Sequence, residues 1–158
     1  MKKLQTILIN PWLIFPLRWL IGGLFLVAAV PKIMDPDAFS LAVDNYRFLP
    51  RQFVNLWALF LPWTELFVGL FLVMGPGGRR PFHRLTEAAA LLSALMYFSF
   101  FTALSWALAH GFDISCGCFR PEGGTDTISW FYLLRDSSLF VASLIVISYH
   151  PKMVAKAQ

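Results

Sequence analysis

Four long apolar stretches alternate with polar ones along the chain. The first runs from about Ile14 to Met34, the second from Phe53 to Met74, the third from Leu85 to His110 and the fourth from Ser129 to Tyr149. Each approaches or exceeds the ~20 residues that an α-helix needs to cross a bilayer. The apolar residues run continuously and do not alternate with polar ones, which argues against a membrane β-barrel. The pattern predicts an all-α fold: an integral membrane four-helix bundle forming a single transmembrane domain over residues 1–158.

Punctuation between the stretches refines this picture. Met1 to Asn10 reads as an interfacial segment leading into the first helix; a cleavable leader fits less well, because the apolar part is long and broken by Pro11, Pro16 and Arg18. Pro31 to Gln52 forms a mixed loop, with Asp37 to Phe48 patterned as a short amphipathic helix at the membrane surface. Pro62 interrupts the second helix, where a kink is expected. Gly75-Pro76-Gly77-Gly78 is a turn, and Gly111 reads as the stop of the third helix. His150-Pro151 ends the fourth. Gly22, Gly23, Ala28 and Ala29 provide a small-residue face for close packing of the first helix.

Composition agrees with the membrane reading. Hydrophobic residues make up 58% of the chain and charged residues 14%, against about a quarter charged in soluble domains. The net charge of +4 is modest, and its basic residues flank apolar runs, so nucleic acid is not an expected partner. Lys2, Lys3, Arg79, Arg80, Arg84, Lys152 and Lys156 fall on one side; Lys32, Arg47, Arg51, Arg120 and Arg135 fall on the other. Basic residues concentrate on the cytoplasmic side of membrane helices. The count predicts a multi-pass membrane protein with both termini cytoplasmic; in a bacterium the membrane would be the inner one. The loop between the third and fourth helices then faces outward.

That loop holds both cysteines of the chain, Cys116 and Cys118, separated only by Gly117. Residues two apart in an extended chain have Cα atoms up to about 7 Å apart, whereas a disulfide prefers roughly 4.4–6.8 Å. A bridge therefore requires a bend, for which Gly117 is suited. The tight ring favours an easily reduced bond, and closing so short a loop stabilises a fold little. These arguments favour a redox-active pair. Arg120, and Arg135 at the same membrane face, would favour thiolate formation, while Asp113 would oppose it unless it transfers protons. Two other readings stay open at this point. One is a purely structural bridge. The other is metal handling by the two thiolates, for which His110 and Asp113 make a poor remaining ligand set, so no metal-ligating residues are assigned.

Two further charges stand out within the apolar runs. Glu65, behind Pro62-Trp63-Thr64, lies where an ionisable group is costly and marks function or a specific partner. It reads as a neutral hydrogen-bonding acid or as the partner of Arg18. Arg18, a turn inside the first helix, either snorkels to the head groups or pairs inside the bundle.

The chain resembles the MauE group of DoxX-like membrane proteins. The resemblance rests on Arg18-x-x-x-Gly22, Lys32, Phe39, Asn45-Tyr46, Leu49-Pro50, Leu61-Pro62-Trp63-x-Glu65, Gly69, Gly111, Cys116-Gly117-Cys118-Phe119 and Arg135-Asp136. Arg120 departs from the family pattern, which tends to have Gly there. The resemblance implies periplasm-facing thiol–disulfide chemistry, an oxidoreductase activity exchanging disulfides with a thioredoxin-like partner or client to support protein maturation. Cys116 and Cys118 would be the catalytic pair; Glu65, Trp63, Arg18, Asp113, Arg120 and Arg135 would line or support the site. Bacterial disulfide-forming oxidase and vitamin K epoxide reductase are similar in arrangement. By that analogy a membrane quinone would be the electron partner if the chain is an oxidase. An internal relay between two cysteine pairs is excluded, because there is only one pair. The contrasting reading is a non-catalytic membrane anchor or assembly subunit of a larger redox complex.

Overall fold

A computed structural model describes residues 11–47, 49–75, 82–111 and 130–156. The described residues form five helices: α1 Pro11–Met34, α2 Pro36–Asn45, α3 Arg51–Met74, α4 Phe82–Ala109 and α5 Trp130–Lys156. No strand occurs among them. Four are long and apolar enough to cross a membrane: Trp12–Met34, Arg51–Met74, Arg84–Ala109 and Trp130–Ser148. Their outward faces carry large apolar side chains such as Trp19, Phe60, Leu95 and Leu134. Such faces suit lipid, whose tails are as apolar as the side chains.

The helices associate chiefly as two pairs, α1 with α3 and α4 with α5, and the pairs meet through α3–α4 and α1–α5 contacts. At the α1–α3 crossing, Gly22 meets Gly69. A Cβ on Gly69 would lie 2.8 Å from the Gly22 carbonyl oxygen, and one on Gly22 would lie 2.9 Å from the Gly69 carbonyl oxygen. Only hydrogen at both Cα atoms lets the backbones approach so closely. Gly23 has open space around it and takes no part. In the α4–α5 pair, the buried Ser93 hydroxyl lies 3.1 Å from that of Ser143, which itself donates to the Leu139 carbonyl at 2.9 Å. The core between the pairs is built on Ile21, Phe25, Val68, Leu72, Tyr97 and Val146.

Helix ends follow local chemistry. Asp35 caps α2, its Oδ1 accepting from the Ala38 amide at 2.9 Å, with Pro36 at the first helical position. The amphipathic segment of the first loop thus becomes α2, which buries Phe39 and Ala42 against Ala58 of α3. Gly111 terminates α4 with φ +65, the left-handed geometry that glycine adopts without a Cβ penalty. The end of α5 differs from the reading of His150-Pro151 as a stop: the helix continues through Pro151 to Lys156. α1 likewise carries Pro16 and Pro31, and α3 carries Pro62. A proline removes one backbone donor but leaves the rest of the helical ladder in place, and membrane helices tolerate that loss.

Candidate functional site

The polar side chains inside this apolar bundle gather at one end. Lys32, in the last turn of α1, donates from Nζ to Glu65 Oε1 on α3 at 2.6 Å; the two side chains are 3% and 1% exposed. Helix geometry explains the pairing. With Gly22 set against Gly69, Lys32 stands opposite a level about six residues, or roughly 9 Å, from Glu65. Side chains lean toward the N-terminus of their own helix. In an antiparallel pair, Lys32 and Glu65 therefore lean toward each other and close the gap. The Lys32 ammonium also lies 5.0 Å from the Phe39 ring centre and 5.8 Å from that of Phe100, within cation–π range.

A second ion pair comes from adjacent residues of α5. Arg135 Nε and Nη2 both lie 2.8 Å from Asp136 Oδ1. Asp136 is fully buried, and the Arg135 guanidinium stands 5.1 Å from the Tyr132 ring centre. Both pairs line one partly open cavity of ≈ 180 Å³ to which all five helices contribute. Its walls are aromatic, with Phe25, Phe39, Trp57, Tyr97 and Phe100 prominent, and Tyr46 beside the α2–α3 connection. Tyr97 packs against Phe25 at 4.9 Å between ring centres. Burial, and then the charge of Asp136, push the Tyr46 phenol above its ordinary pKa, so it stays a neutral O–H.

Not all the residues singled out from the sequence lie here. Glu65 and Arg135 do. Arg18 sits at the opposite end of the α1–α3 pair. It is buried and donates from Nη2 to the carbonyls of Leu72 at 2.9 Å and Gly75 at 2.7 Å, at the C-terminal end of α3. That position satisfies carbonyls left over by the helix and complements its dipole. Of the two readings of Arg18, the partner inside the bundle holds and snorkelling to the head groups does not; that partner is the end of α3, which corrects the pairing with Glu65. Arg18 stands about eight residues from the Glu65 level, and each side chain leans away from the other. Trp63 is 46% exposed on the outer face of α3 and does not line the cavity. Two residues rotate a helix by about 200°, so Trp63 and Glu65 cannot share a face. Cys116, Cys118, Asp113 and Arg120 lie outside the described residues.

A family model described as methylamine utilisation protein MauE matches residues 10–149. The chain belongs to the MauE family. It is 32% identical over 148 residues to the methylamine utilization protein MauE of Paracoccus denitrificans, covering 93% of this chain and 75% of that one. The MauE protein of Methylorubrum extorquens is 31% identical over 116 residues, covering 73% and 58% of the two chains. That of Paracoccus versutus is 31% identical over 141 residues, covering 89% and 72%. No solved structure matches the chain. With four candidate spans, this MauE-family chain is a multi-pass membrane protein.

Sequence reasoning missed three parts of the site. Lys32 reads as an interfacial cation at the end of an apolar run, and Asp136 as the companion of Arg135. The aromatic wall from α4 looks like ordinary membrane sequence. The available signal was geometric: once Gly22 is set against Gly69, Lys32 is the cation whose side chain leans toward Glu65.

Proposed function

We propose that the protein exchanges disulfides through Cys116 and Cys118 with a thioredoxin-like partner or client protein, supporting protein maturation in methylamine utilisation. In one round, the thiolate of one cysteine attacks a disulfide of the partner. A mixed disulfide forms, the partner's S–S bond breaks, and the released sulfur takes up a proton. The second cysteine then attacks the mixed disulfide, closing the Cys116–Cys118 bond and leaving the partner with two thiols. Two electrons and two protons pass from the Cys116/Cys118 dithiol to the partner's disulfide, and the reverse sequence returns them. Asp113, Arg120 and Arg135 are the residues assigned to tuning the pair, by charge near the sulfurs.

One observation supports the reading: the end of α4 and the start of α5, between which both cysteines fall in the sequence, meet beside the cavity. Leu104 and Ala107 near the end of α4 cluster with Leu133 at the start of α5, and Tyr46, Leu108 and Tyr132 pack against that cluster; Leu104 and Tyr46 also line the cavity. The helix ends that flank the cysteines in the sequence therefore lie next to the cavity that holds the buried charges. The distribution of basic residues supports a place in the bacterial inner membrane, with both termini cytoplasmic and this end periplasmic.

Single Cys116→Ser and Cys118→Ser variants test it. Both should reach the membrane and lose complete exchange. One of them should accumulate a mixed disulfide with the partner, visible on a non-reducing gel. Full exchange retained by both variants would refute the proposal and favour a non-catalytic subunit of a larger membrane complex.

A further inference from the structure

The cavity at the charged end of the bundle is partly open and mostly apolar, and disulfide exchange gives it no occupant. Its charges balance within the wall, Lys32 against Glu65 and Arg135 against Asp136. A buried water needs two to four polar partners, and an apolar space without them stays dry. At ≈ 180 Å³ the space is roughly ten times what one water requires. Left empty, it would cost the side chains around it their dispersion contacts on that side. Hydrocarbon is the filling that such walls favour.

The opening faces the bilayer. Trp57, Leu61 and Glu65 recur at four-residue spacing on α3 and form one wall. Trp57 is 44% exposed although it lines the cavity, so the space reaches the surface there. It stands roughly 120° around α3 from Gly69, which packs on α1, and therefore lies on the flank toward α4. On α4 the short side chains of Ser99 and Ala103 also line the cavity and are half-buried. Both helices are candidate membrane spans, so a gap between them admits acyl chains.

At its upper edge the cavity adjoins a polar recess, and Leu49 lines both. The recess is built by the α2–α3 connection and carries Arg47, Arg51 and Asp44. Arg51 begins the α3 span, which puts the recess at head-group level, and Trp57 lies six residues, or roughly 9 Å, deeper. Two arginines stand against one aspartate. The contact between Arg51 Nε and Asp44 Oδ1 is a long 3.9 Å between exposed side chains, a kind of pair that holds weakly. The recess is thus net positive, and the planar guanidinium fork suits phosphate oxygens.

We propose that this end of the bundle binds one anionic phospholipid, with an acyl chain in the cavity between α3 and α4 and the phosphate on Arg47 and Arg51. The site goes beyond the proposed function and does not depend on thiol chemistry. Its consequence is selectivity: a lipid with a net negative head group binds more tightly than a zwitterionic one with the same chains.

The test uses the full chain in a mild non-ionic detergent, titrated with dioleoylphosphatidylglycerol or dioleoylphosphatidylcholine, with retained lipids counted by native mass spectrometry. One phosphatidylglycerol should be retained, at about one tenth of the concentration that phosphatidylcholine needs. The double variant Arg47→Gln, Arg51→Gln should abolish that preference, since each arginine near an anionic head group strengthens attachment by roughly fivefold. Both side chains are exposed, so the core is untouched. Ala103→Phe fills the gap from α4, and excluding even two methylenes should weaken phosphatidylglycerol retention by about tenfold. Arg84→Gln, an exposed cation at the opposite end of α4, should change nothing. Equal retention of the two lipids, or a preference lost equally in Arg84→Gln, would overturn the head-group assignment. An unaffected Ala103→Phe variant, or displacement of the lipid by glycerophosphoglycerol, which has the head group and no chains, would overturn the acyl-chain assignment. No retained lipid would overturn the site. No cysteine enters the readout, so this proposal and the proposed function fail separately.

Discussion

Replacing Lys32 by methionine should be among the most damaging single changes in the bundle. The substitution keeps a long, unbranched side chain and removes the ammonium. Glu65 Oε1 then loses the Nζ donor now 2.6 Å away, in a residue only 1% exposed, and its Oε2 has no partner to begin with. Breaking one side of a buried ion pair costs about 3–5 kcal/mol, because the remaining charge stays buried and uncompensated. At about 1.4 kcal/mol per decade, that shifts the folding equilibrium by roughly a hundredfold to several thousandfold. The double variant Lys32→Met, Glu65→Leu removes both charges. It should recover most of the loss, since replacing a whole buried pair by apolar side chains is commonly neutral or stabilising. Reversible unfolding in mixed micelles of rising SDS content, followed by circular dichroism, measures both. A single variant within about 1 kcal/mol of the parent would refute this account of the pair, as would a double variant no more stable than the single.

Four further outcomes follow from particular residues. Gly69→Ala should destabilise by about 1–3 kcal/mol despite alanine's better helix propensity, because its Cβ would meet the Gly22 carbonyl and Leu26 across the α1–α3 crossing. Gly23→Ala, with open space around it, should be neutral or slightly stabilising in the same micelle titration. Arg18→Leu should lose about 1.5–3 kcal/mol for each charge-assisted hydrogen bond to the Leu72 and Gly75 carbonyls, read in the same micelle titration. Tyr46 has a raised folded-state pKa, so its contribution is fully present below the ordinary tyrosine value of about 10 and is lost as pH rises beyond it. The parent should lose stability in that alkaline range more steeply than Tyr46→Phe does.

The fold was legible from the sequence wherever a single residue or run decides the outcome. Continuous apolar runs dictated four spans, Gly111 marked the end of α4, and the alternation in the first loop gave α2. Glu65 was recognisable as buried because nothing in its neighbourhood offers water. What stayed hidden depends on how two helices register against each other. Arg18 and Lys32 are equally plausible partners for Glu65 until Gly22 and Gly69 fix the crossing. After that, the lean of each side chain selects Lys32. Trp63 belonged to the right motif but the wrong face, a consequence of helical rotation over two residues. Pro151 was misleading because a proline removes one backbone donor without always ending the helix, and α5 continues through it to Lys156.

The buried charges also suggest why the family motifs span the chain. Lys32, Glu65 and the Arg135-Asp136 pair come from three helices and converge on one cavity, so no short segment contains the site. The cavity end is also where the end of α4 meets the start of α5, through Leu104, Ala107 and Leu133.

The most direct test of the central proposal is the thiol state of Cys116 and Cys118 in native membranes, followed by differential alkylation across a series of redox buffers. The account predicts a reversible two-electron couple with a potential above about −300 mV, the range of labile, exchange-competent disulfides. A pair that stays oxidised under strong reductant, or stays reduced and unreactive throughout, would contradict it.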